Sequence, residues 1–209
     1  MNTNTKGVKN VFVCGGGHQG LSMAAHLALN GITVTLWNRT SKNIQQVIDT
    51  GEILCNGVVN GTAKVEKASS NIKDVVSDFV MVTTPSSAHK DVARQLAPYV
   101  HKDMIIILNP GRTFGAIDFA NELKKCGVIK LPHIAETQTI VYTCRRSSDN
   151  QTTIFALKTD VKIAALKKSS LEIIMSKMPD CLKPYFKQEN SIGYTSFDNV
   201  GMVLHCSPV

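Results

Sequence analysis

Three glycines with a fixed spacing occur near the start of the chain, in the segment GGGHQG. Gly15, Gly17 and Gly20 form the pattern G-x-G-x-x-G directly after the apolar run VFVC and directly before a segment with helical periodicity. In this context the first glycine permits a tight turn, the second lets the backbone approach a diphosphate, and the third lets helix pack on strand. The free N–H groups of the helix start, with His18 and Gln19 as further donors, predict a dinucleotide-binding turn. A turn that serves packing alone is the alternative.

The segment LWNRTSK follows the next predicted strand, about 20 residues further on, where NAD-selective sites carry an acidic side chain. Asn38 stands in place of that carboxylate, and Arg39 offers a planar fork that matches phosphate oxygens. Thr40, Ser41 and Lys42 add donors, and NRT followed by lysine resembles the 2′-phosphate clasp of NADP-dependent 6-phosphogluconate dehydrogenases. We therefore predict NADP(H) as the preferred cofactor, with NAD as a second option. The alternative is that Arg39 and Lys42 solvate a helix start while Asn38 bonds a ribose hydroxyl.

Polar residues also follow the later predicted strands, in VTTPSS, LNPGRTFG and AETQT. Ligands of parallel α/β sheets bind beyond the carboxyl ends of the strands. The predicted contacts to the cofactor ribose and nicotinamide come from the first two segments: Thr83, Thr84 and Pro85, then Asn109, Pro110 and Gly111. Ser86 is equally a helix N-cap. Arg112 is a candidate for an anion, and for Glu136 we favour pairing with a lysine over substrate binding.

The elements that must position these residues alternate between strands and helices over the first 130 residues. Buried apolar runs such as ITVTLW and MIIIL predict strands, and segments such as HQGLSMAAHLALNG predict the helices between them. Strands joined in this way pair in parallel through right-handed crossovers, so we predict an α/β fold with a doubly wound, mainly parallel Rossmann-type sheet. After residue 130, the segments HIAETQ, IVYTCR, TTIFALK and VKIAAL predict extra strands that extend this sheet.

Composition and charge narrow the class of protein. The 209 residues are 43% hydrophobic and 19% charged, as in ordinary globular proteins. No apolar run approaches the ~20 residues that span a bilayer, and the start lacks a secretory h-region, so we expect a cytoplasmic protein without a membrane partner. Six cysteines without a C-x-x-C pair argue against a metal site. The net charge of +7 forms no arginine-rich tract, so we expect no nucleic-acid partner.

Three separated motifs carry a resemblance to a known family. IILNPGRTFGA, AETQTIVYTCR and SFDNVGMVLHCSP, together with the glycine turn, resemble the opine dehydrogenases of the octopine and nopaline type. The motifs match in order and spacing through nearly the whole chain. The resemblance implies an N-terminal dinucleotide-binding domain followed by a helical substrate domain. It also implies an enzyme that joins an amino acid to a 2-oxo acid such as pyruvate and reduces the imine with NAD(P)H.

By the same resemblance, His205 corresponds to the histidine that acts as acid/base at the domain junction. An imidazole suits this role because it exchanges a proton near neutral pH, and a histidine satisfied within a helix end is the alternative. Two departures are local: Cys206 follows where the family tends to have proline, and Gly201 stands where an asparagine is typical. We expect residues 1–190 to form the dinucleotide-binding domain and residues 191–209 to lead into a second, absent helical domain. The 209-residue chain alone is then expected to be inactive.

Two other functions stay open at this point. The NRT segment suggests another NADP-dependent small-acid dehydrogenase, of the 6-phosphogluconate or glycerol-3-phosphate type. The absent domain and Gly201 are also compatible with a catalytically silent NADP-binding module. The resemblance to opine dehydrogenases implies small-molecule partners, namely an amino acid and a 2-oxo acid as substrates. An apolar surface around Met202 to Leu204 further predicts a homodimer through the C-terminal helix.

Overall fold

The computed structural model describes residues 7–198. None of the helices in this range is long and apolar enough to cross a membrane. Twelve strands are described: β1 (Asn10–Cys14), β2 (Thr33–Trp37), β3 (Glu52–Gly57), β4 (Gly61–Lys64), β5 (Lys67–Ser69), β6 (Phe79–Val82), β7 (Ile105–Leu108), β8 (His133–Thr137), β9 (Tyr142–Arg146), β10 (Gln151–Leu157), β11 (Val161–Ala165) and β12 (Phe186–Gln188). The α-helices of the same range are α1 (His18–Leu29), α2 (Gln45–Thr50), α3 (His89–Leu96), α4 (Gly115–Lys125), α5 (Lys168–Lys177) and α6 (Ile192–Phe197).

Eight strands form the main sheet, in the order β12-β11-β8-β7-β6-β1-β2-β5. Neighbouring strands are parallel except for β8 and β11. The central strands β6 and β7 are buried along their whole length, as expected for strands that helices cover on both faces. Strand β1 has β2 on one side and β6 on the other, so the winding reverses there, and this switch point is where such sheets bind ligands. The predicted doubly wound, mainly parallel Rossmann-type fold is confirmed.

Two of the strands predicted to extend this sheet lie elsewhere. The segments HIAETQ and VKIAAL do extend it, as β8 and β11, but β9 and β10 join the hairpin β3–β4 in a second sheet of order β4-β3-β10-β9. The prediction is therefore wrong for IVYTCR and TTIFALK. The physical reason is that β9 and most of β10 alternate less exposed with more exposed residues, so each strand has only one covered face. A central place in the main sheet would bury both faces.

Helix α1 packs between the two sheets. Its residues 20–27 are all buried, as in a helix covered on every side. Two polar side chains one turn apart face the second sheet: the Ser22 Oγ lies 2.7 Å from the Thr152 Oγ1, and the His26 Nδ1 lies 3.1 Å from the Tyr142 hydroxyl. The interface tolerates these polar groups because they find partners across it. The second sheet thereby fixes the helix that begins at the glycine turn.

Burial of His26 makes the stability of this interface depend on pH. Desolvation lowers the pKa of His26 from its ordinary value of 6.5, because burial disfavours the imidazolium. The unfolded chain binds a proton below that value while folded His26 stays neutral, so the stability it contributes is present above pH 6.5 and lost as the pH falls through the lowered pKa. We expect the free energy of unfolding, measured with urea, to fall between about pH 7.5 and about pH 5.5.

The His26→Gln variant keeps a hydrogen-bonding group towards Tyr142 but does not titrate. Its free energy of unfolding should fall less than that of the wild type over the same pH range. The pKa of His89 is also lowered by burial, so part of the pH dependence should persist in the variant. Identical pH profiles for the two proteins would rule out His26 as a source of acid sensitivity.

Candidate functional site

The glycine turn joins β1 to α1 at the switch point of the main sheet. Gly15 adopts a φ of +122°, a conformation that favours glycine. A Cβ on Gly20 would lie 1.6 Å from the Gly15 carbonyl oxygen, so the close approach of α1 to the turn requires a glycine. Gly17 differs, because it is exposed and a Cβ there would meet no atom of residues 7–198 within 4 Å. Its backbone borders open space, as the predicted dinucleotide-binding turn requires.

Side chains from the neighbouring strands hold this turn. After β2, the Asn38 Oδ1 accepts a hydrogen bond from the Gly16 N–H at 3.0 Å, and the Asn38 amide donates to the Thr40 carbonyl at 2.9 Å. After β6, the Thr83 hydroxyl lies 3.1 Å from the Gly15 carbonyl oxygen, to which it donates. Asn38 thus supports the turn from the position where NAD-selective sites carry a carboxylate, and it adds no charge there.

Two cavities adjoin the turn at the carboxyl ends of the strands. The β2-side cavity, of about 140 Å³, is lined by Trp37, Asn38, Arg39, Thr40, Asn43, Thr84, Pro85, Ala88, Asp91 and Val92. The β7-side cavity, of about 310 Å³, is lined by Gly17, His18, Gln19, Thr83, Thr84, Pro85, Ser86, Asn109, Pro110, Arg112 and Ile140. Because Thr84 and Pro85 border both, the cavities form one cleft across the switch point.

Three buried polar atoms at the β7-side cavity have no hydrogen-bond partner within the described residues. They are the Gln19 Oε1, the Thr84 Oγ1 and the Asn109 Oδ1. An unpaired buried polar atom costs about 1–3 kcal/mol, so such atoms are rare in folded proteins. Their clustering around one cavity favours a polar ligand that completes their hydrogen bonds.

Most of the predicted cofactor residues border this cleft: Gly17, His18, Gln19, Asn38, Arg39, Thr40, Thr83, Thr84, Pro85, Asn109 and Pro110. Four do not. Gly15 and Gly20 lie buried beneath the turn, and Lys42 is exposed on the short helix after β2, outside the cavity lining. Gly111 packs against β8, where its N–H donates to the Thr137 carbonyl at 3.1 Å. Neither Lys42 nor Gly111 lines the two cavities, and their contacts with a cofactor stay predictions.

His18 and Gln19, the predicted donors at the helix start, both contact β9. The His18 Nδ1 accepts a hydrogen bond from the Arg146 backbone N–H at 2.8 Å, so the neutral ring carries its proton on Nε2. The Gln19 amide nitrogen lies 3.4 Å from the Tyr142 carbonyl oxygen and 3.3 Å from the Cys144 Sγ. The side-chain N–H groups of Gln19 therefore face the second sheet, and its Oε1 lacks a partner among the described residues, while its contact with a cofactor stays a prediction.

Arg39 lies at the mouth of the β2-side cavity together with an acidic residue that the sequence did not single out. The Arg39 Nη1 is 3.4 Å from the Asp91 Oδ2, and the two side chains are 70% and 40% exposed. Exposed ion pairs contribute about 0–1 kcal/mol, so the guanidinium can leave Asp91 for a bound anion. In the sequence, Asp91 shows only as an acidic residue in the first turn of a helix.

Arg146 reaches the glycine turn from the second sheet and was also missed by sequence reasoning. Its Nη1 donates to the carbonyl oxygens of Gly16 and Asn43, both at 2.9 Å. The contact arises because β9 packs beside α1 and not at the edge of the main sheet.

The loop after β7 has an unusual backbone and lies over a buried carboxylate. Arg112 and Phe114 have φ angles of +61° and +55°, in the left-handed region that side chains other than glycine seldom adopt. Below them, the Glu136 Oε2 accepts a hydrogen bond from the Ala116 N–H at 2.8 Å, at the start of α4. A carboxylate is stabilised there by the helix dipole.

The same carboxylate binds α6. The Glu136 Oε1 accepts hydrogen bonds from the hydroxyls of Thr195 at 2.7 Å and Ser196 at 2.9 Å, and the Phe114 N–H donates to the Ser196 Oγ at 2.9 Å. Burial raises the pKa of Glu136, and these hydrogen bonds oppose the rise. Glu136 is structural, as favoured, but its partners are an amide and two hydroxyls where a lysine was predicted.

A larger open hollow of about 760 Å³ lies at the opposite end of the strands, beside Cys126 and Ile129. It borders none of the unpartnered buried atoms and lies away from the switch point. The predictions for His205, Gly201, Cys206 and residues 202–204 fall outside residues 7–198, so they stay predictions.

A sheet that reverses its winding beside a glycine turn, with a cleft at that point, is typical of Rossmann-type dinucleotide-binding domains, and this fold and site define that class. The chain belongs to the Ketopantoate reductase PanE/ApbA family, whose sequence pattern matches residues 11–118. It is also 32% identical over 203 residues to the opine dehydrogenase of Arthrobacter sp. (strain 1C), an alignment that covers 96% of this chain and 56% of that enzyme.

Solved structures share the fold. Octopine dehydrogenase, in its structure with NADH and L-arginine, matches with a TM-score of 0.73 at 16% identity, over 93% of this chain and 52% of its own. Yersinopine dehydrogenase with NADP+ bound matches with a TM-score of 0.70 at 14% identity, over 89% of this chain and 48% of its own. The chain thus spans about half the length of these relatives. The predicted resemblance to the N-terminal domain of an opine dehydrogenase is confirmed.

Proposed function

We propose that this chain is the cofactor-binding domain of an opine-type NADP-dependent oxidoreductase, which condenses an amino acid with a 2-oxo acid and reduces the imine. In this proposal residues 1–190 bind the dinucleotide, and residues 191–209 lead into a helical substrate domain. A cytoplasmic location and a homodimer through the C-terminal helix stay predictions. The observation that carries the proposal is the cleft at the switch point, where the exposed backbone of Gly17 adjoins a cavity with three buried atoms that have no partner among residues 7–198.

The residues present fit a nicotinamide dinucleotide. The start of α1, with the exposed Gly17 and the His18 Nε2–H, supplies donors and a positive dipole for a diphosphate. The β2-side cavity suits the adenosine. In the β7-side cavity, the Thr84 Oγ1 and the Asn109 Oδ1, which have no partner in the part of the chain that the structure describes, suit a ribose hydroxyl and a carboxamide N–H. When bound, the reduced nicotinamide supplies the hydride, and the residues of the cleft hold and orient it.

His205 is the proposed acid/base of this reaction. The segment that carries His205 follows α6, and α6 is tied to Glu136 and Phe114 beneath the loop that carries Arg112. Arg112 borders the β7-side cavity, so α6 is anchored beneath a loop that lines the cleft. In the proposed reaction the His205 imidazole takes up or releases the proton of the condensation.

Arg39 supports NADP over NAD. The neutral Asn38 replaces the carboxylate that would repel a 2′-phosphate, and Arg39 at the same cavity mouth supplies a guanidinium whose exposed ion pair with Asp91 is weak. We expect the Arg39→Ala variant to bind NADPH about 1.5–3 kcal/mol more weakly than the wild type and to bind NADH almost unchanged. Calorimetric titration of the chain with NADPH and with NADH measures both affinities.

Two further variants sharpen this test. Arg145→Ala removes an exposed arginine from β9 and should leave both affinities unchanged. Asp91→Asn removes the carboxylate that competes for Arg39 and should tighten NADPH binding alone. Equal losses for NADPH and NADH in Arg39→Ala would contradict the 2′-phosphate assignment.

The alternative functions differ in what the whole protein turns over. A dehydrogenase of the glycerol-3-phosphate or 6-phosphogluconate type would oxidise its phosphorylated substrate without an amino acid. A silent binding module would bind NADPH tightly and show no turnover with any amino acid and 2-oxo acid. NADPH oxidation that requires an amino acid and a 2-oxo acid together would select the opine type.

A further inference from the structure

We propose that Arg146 is a positioning residue of the diphosphate site: it holds the Gly16–Gly17 peptide so that the Gly17 N–H faces the cleft. The inference rests on the proposed dinucleotide binding, and it assigns the second sheet a part in that function. The first observation is the pair of 2.9 Å hydrogen bonds from the Arg146 Nη1 to the carbonyl oxygens of Gly16 and Asn43.

The geometry of the peptide unit links this contact to the cleft. In a planar trans peptide, the C=O and the following N–H point in opposite directions. A guanidinium that binds the Gly16 carbonyl therefore turns the Gly17 N–H away from itself. Gly17 is exposed at the β7-side cavity, and its N–H has no acceptor within the described residues. Arg146 thus lies on the side of the turn away from the cleft, and its contact orients the Gly17 N–H towards the cleft.

The charge on Arg146 strengthens this arrangement. No carboxylate of residues 7–198 forms an ion pair with Arg146, in contrast to Arg39, which faces Asp91. A cation at the oxygen end of a peptide favours the orientation of its dipole, and an un-neutralised cation behind the turn attracts an anion on the other side. Charge-assisted hydrogen bonds of this kind are stronger than neutral ones.

The second bond of Arg146 couples the two parts of the cleft. Asn43 lies on the short helix after β2 and borders the β2-side cavity, whereas Gly16 belongs to the glycine turn. One guanidinium therefore fixes the spacing between the predicted diphosphate and adenosine positions. The backbone of Arg146 adds a third tie, because its N–H donates to the His18 Nδ1.

The test compares Arg146→Ala with two matched variants in β9 and in the turn between β9 and β10. Arg145→Ala removes an equal charge from the exposed neighbouring position. Asp149→Ala removes a structural brace, since the Asp149 Oδ2 accepts the Gln46 N–H at 2.8 Å, but it leaves the glycine turn untouched. We expect Arg146→Ala to weaken NADH and NADPH binding by the same factor, at least about tenfold, and Arg146→Lys to recover part of the loss. The two controls should stay within about twofold of the wild type.

Two additional readouts separate positioning from general stability. Urea denaturation shows whether each variant is folded under the binding conditions, and Asp149→Ala should lose stability without losing affinity. Inorganic pyrophosphate, used as a competitor of NADH, should compete less well with Arg146→Ala than with the wild type. Arg146→Ala that is folded and binds both dinucleotides normally would overturn the inference alone. A wild-type chain that binds neither dinucleotide would overturn the proposed function.

Discussion

The Gly20→Ala variant is expected to lose about 3–4 kcal/mol of folding stability and all measurable dinucleotide binding. The new Cβ would lie 1.6 Å from the Gly15 carbonyl oxygen and 2.6 Å from the Gly15 carbonyl carbon. Neither is a flexible side-chain end, so relief requires α1 to move away from the turn. That movement displaces the first turn of α1, which supplies the donors of the proposed diphosphate site. Urea denaturation and calorimetric titration with NADPH measure the two losses.

Gly17→Ala provides the matched comparison because it changes a glycine of the same turn. A methyl group on Gly17 would meet no atom of the described residues within 4 Å, and the φ of −78° at Gly17 suits any residue. We expect stability to stay within about 0.5 kcal/mol of the wild type. Binding should nevertheless weaken, since the methyl group would stand between the backbone and the diphosphate. If Gly17→Ala bound NADPH normally, the backbone of this turn would not be the diphosphate site.

The Glu136→Ala variant should lose about 3 kcal/mol of folding stability. The carboxylate accepts the Ala116 N–H and the hydroxyls of Thr195 and Ser196. Removing it leaves these buried groups without their acceptor and separates α4 from α6. We expect α6 to become more accessible to proteolysis than in the wild type, at Phe197 in particular. Urea denaturation gives the stability, and mass spectrometry of limited digests locates the cleavage.

Glu136→Gln is the control for charge. The amide keeps the shape and offers an oxygen to the Ala116 N–H, while the hydroxyls rotate to accept its N–H groups. The variant also has no buried charge, and burial already raises the pKa of Glu136. A carboxyl group whose pKa is raised by folding stabilises the protein less as the pH rises through that pKa, because the buried group must then carry a charge. The neutral amide avoids this cost, so Glu136→Gln should lose less than about 1 kcal/mol of folding stability near pH 7. A loss equal to that of Glu136→Ala would show that the negative charge itself is required.

The main sheet could be predicted because the sequences of its central strands indicate how those strands are buried. β6 and β7 are continuous apolar runs, which only a strand covered on both faces needs. The position of β9 and β10 could not be settled in the same way, because pairing of β10 with β3 joins segments about a hundred residues apart. In a sequence, the signal for a sheet covered on one face is the alternation of apolar and polar residues. This alternation does not say which helix the apolar face will cover.

The candidate site was predictable where backbone requirements decide the residue. Gly15 and Gly20 are dictated by a left-handed φ and a close approach, which have a sequence signature. Asn38 and Thr83 follow strand ends, where polar residues point to a ligand edge. Arg146 and Asp91 lack such signatures, because each acts through tertiary contacts that depend on how separate elements pack.

The placement of α1 between two sheets also affects how the protein is made. The helix is translated early, but β9 and β10, which satisfy Ser22 and His26, leave the ribosome after more than a hundred further residues. Until then the polar stripe of α1 faces water and the glycine turn lacks its guanidinium support. Coenzyme capture should therefore be a late event in biosynthesis, and nascent chains that end before β9 should remain open to proteases.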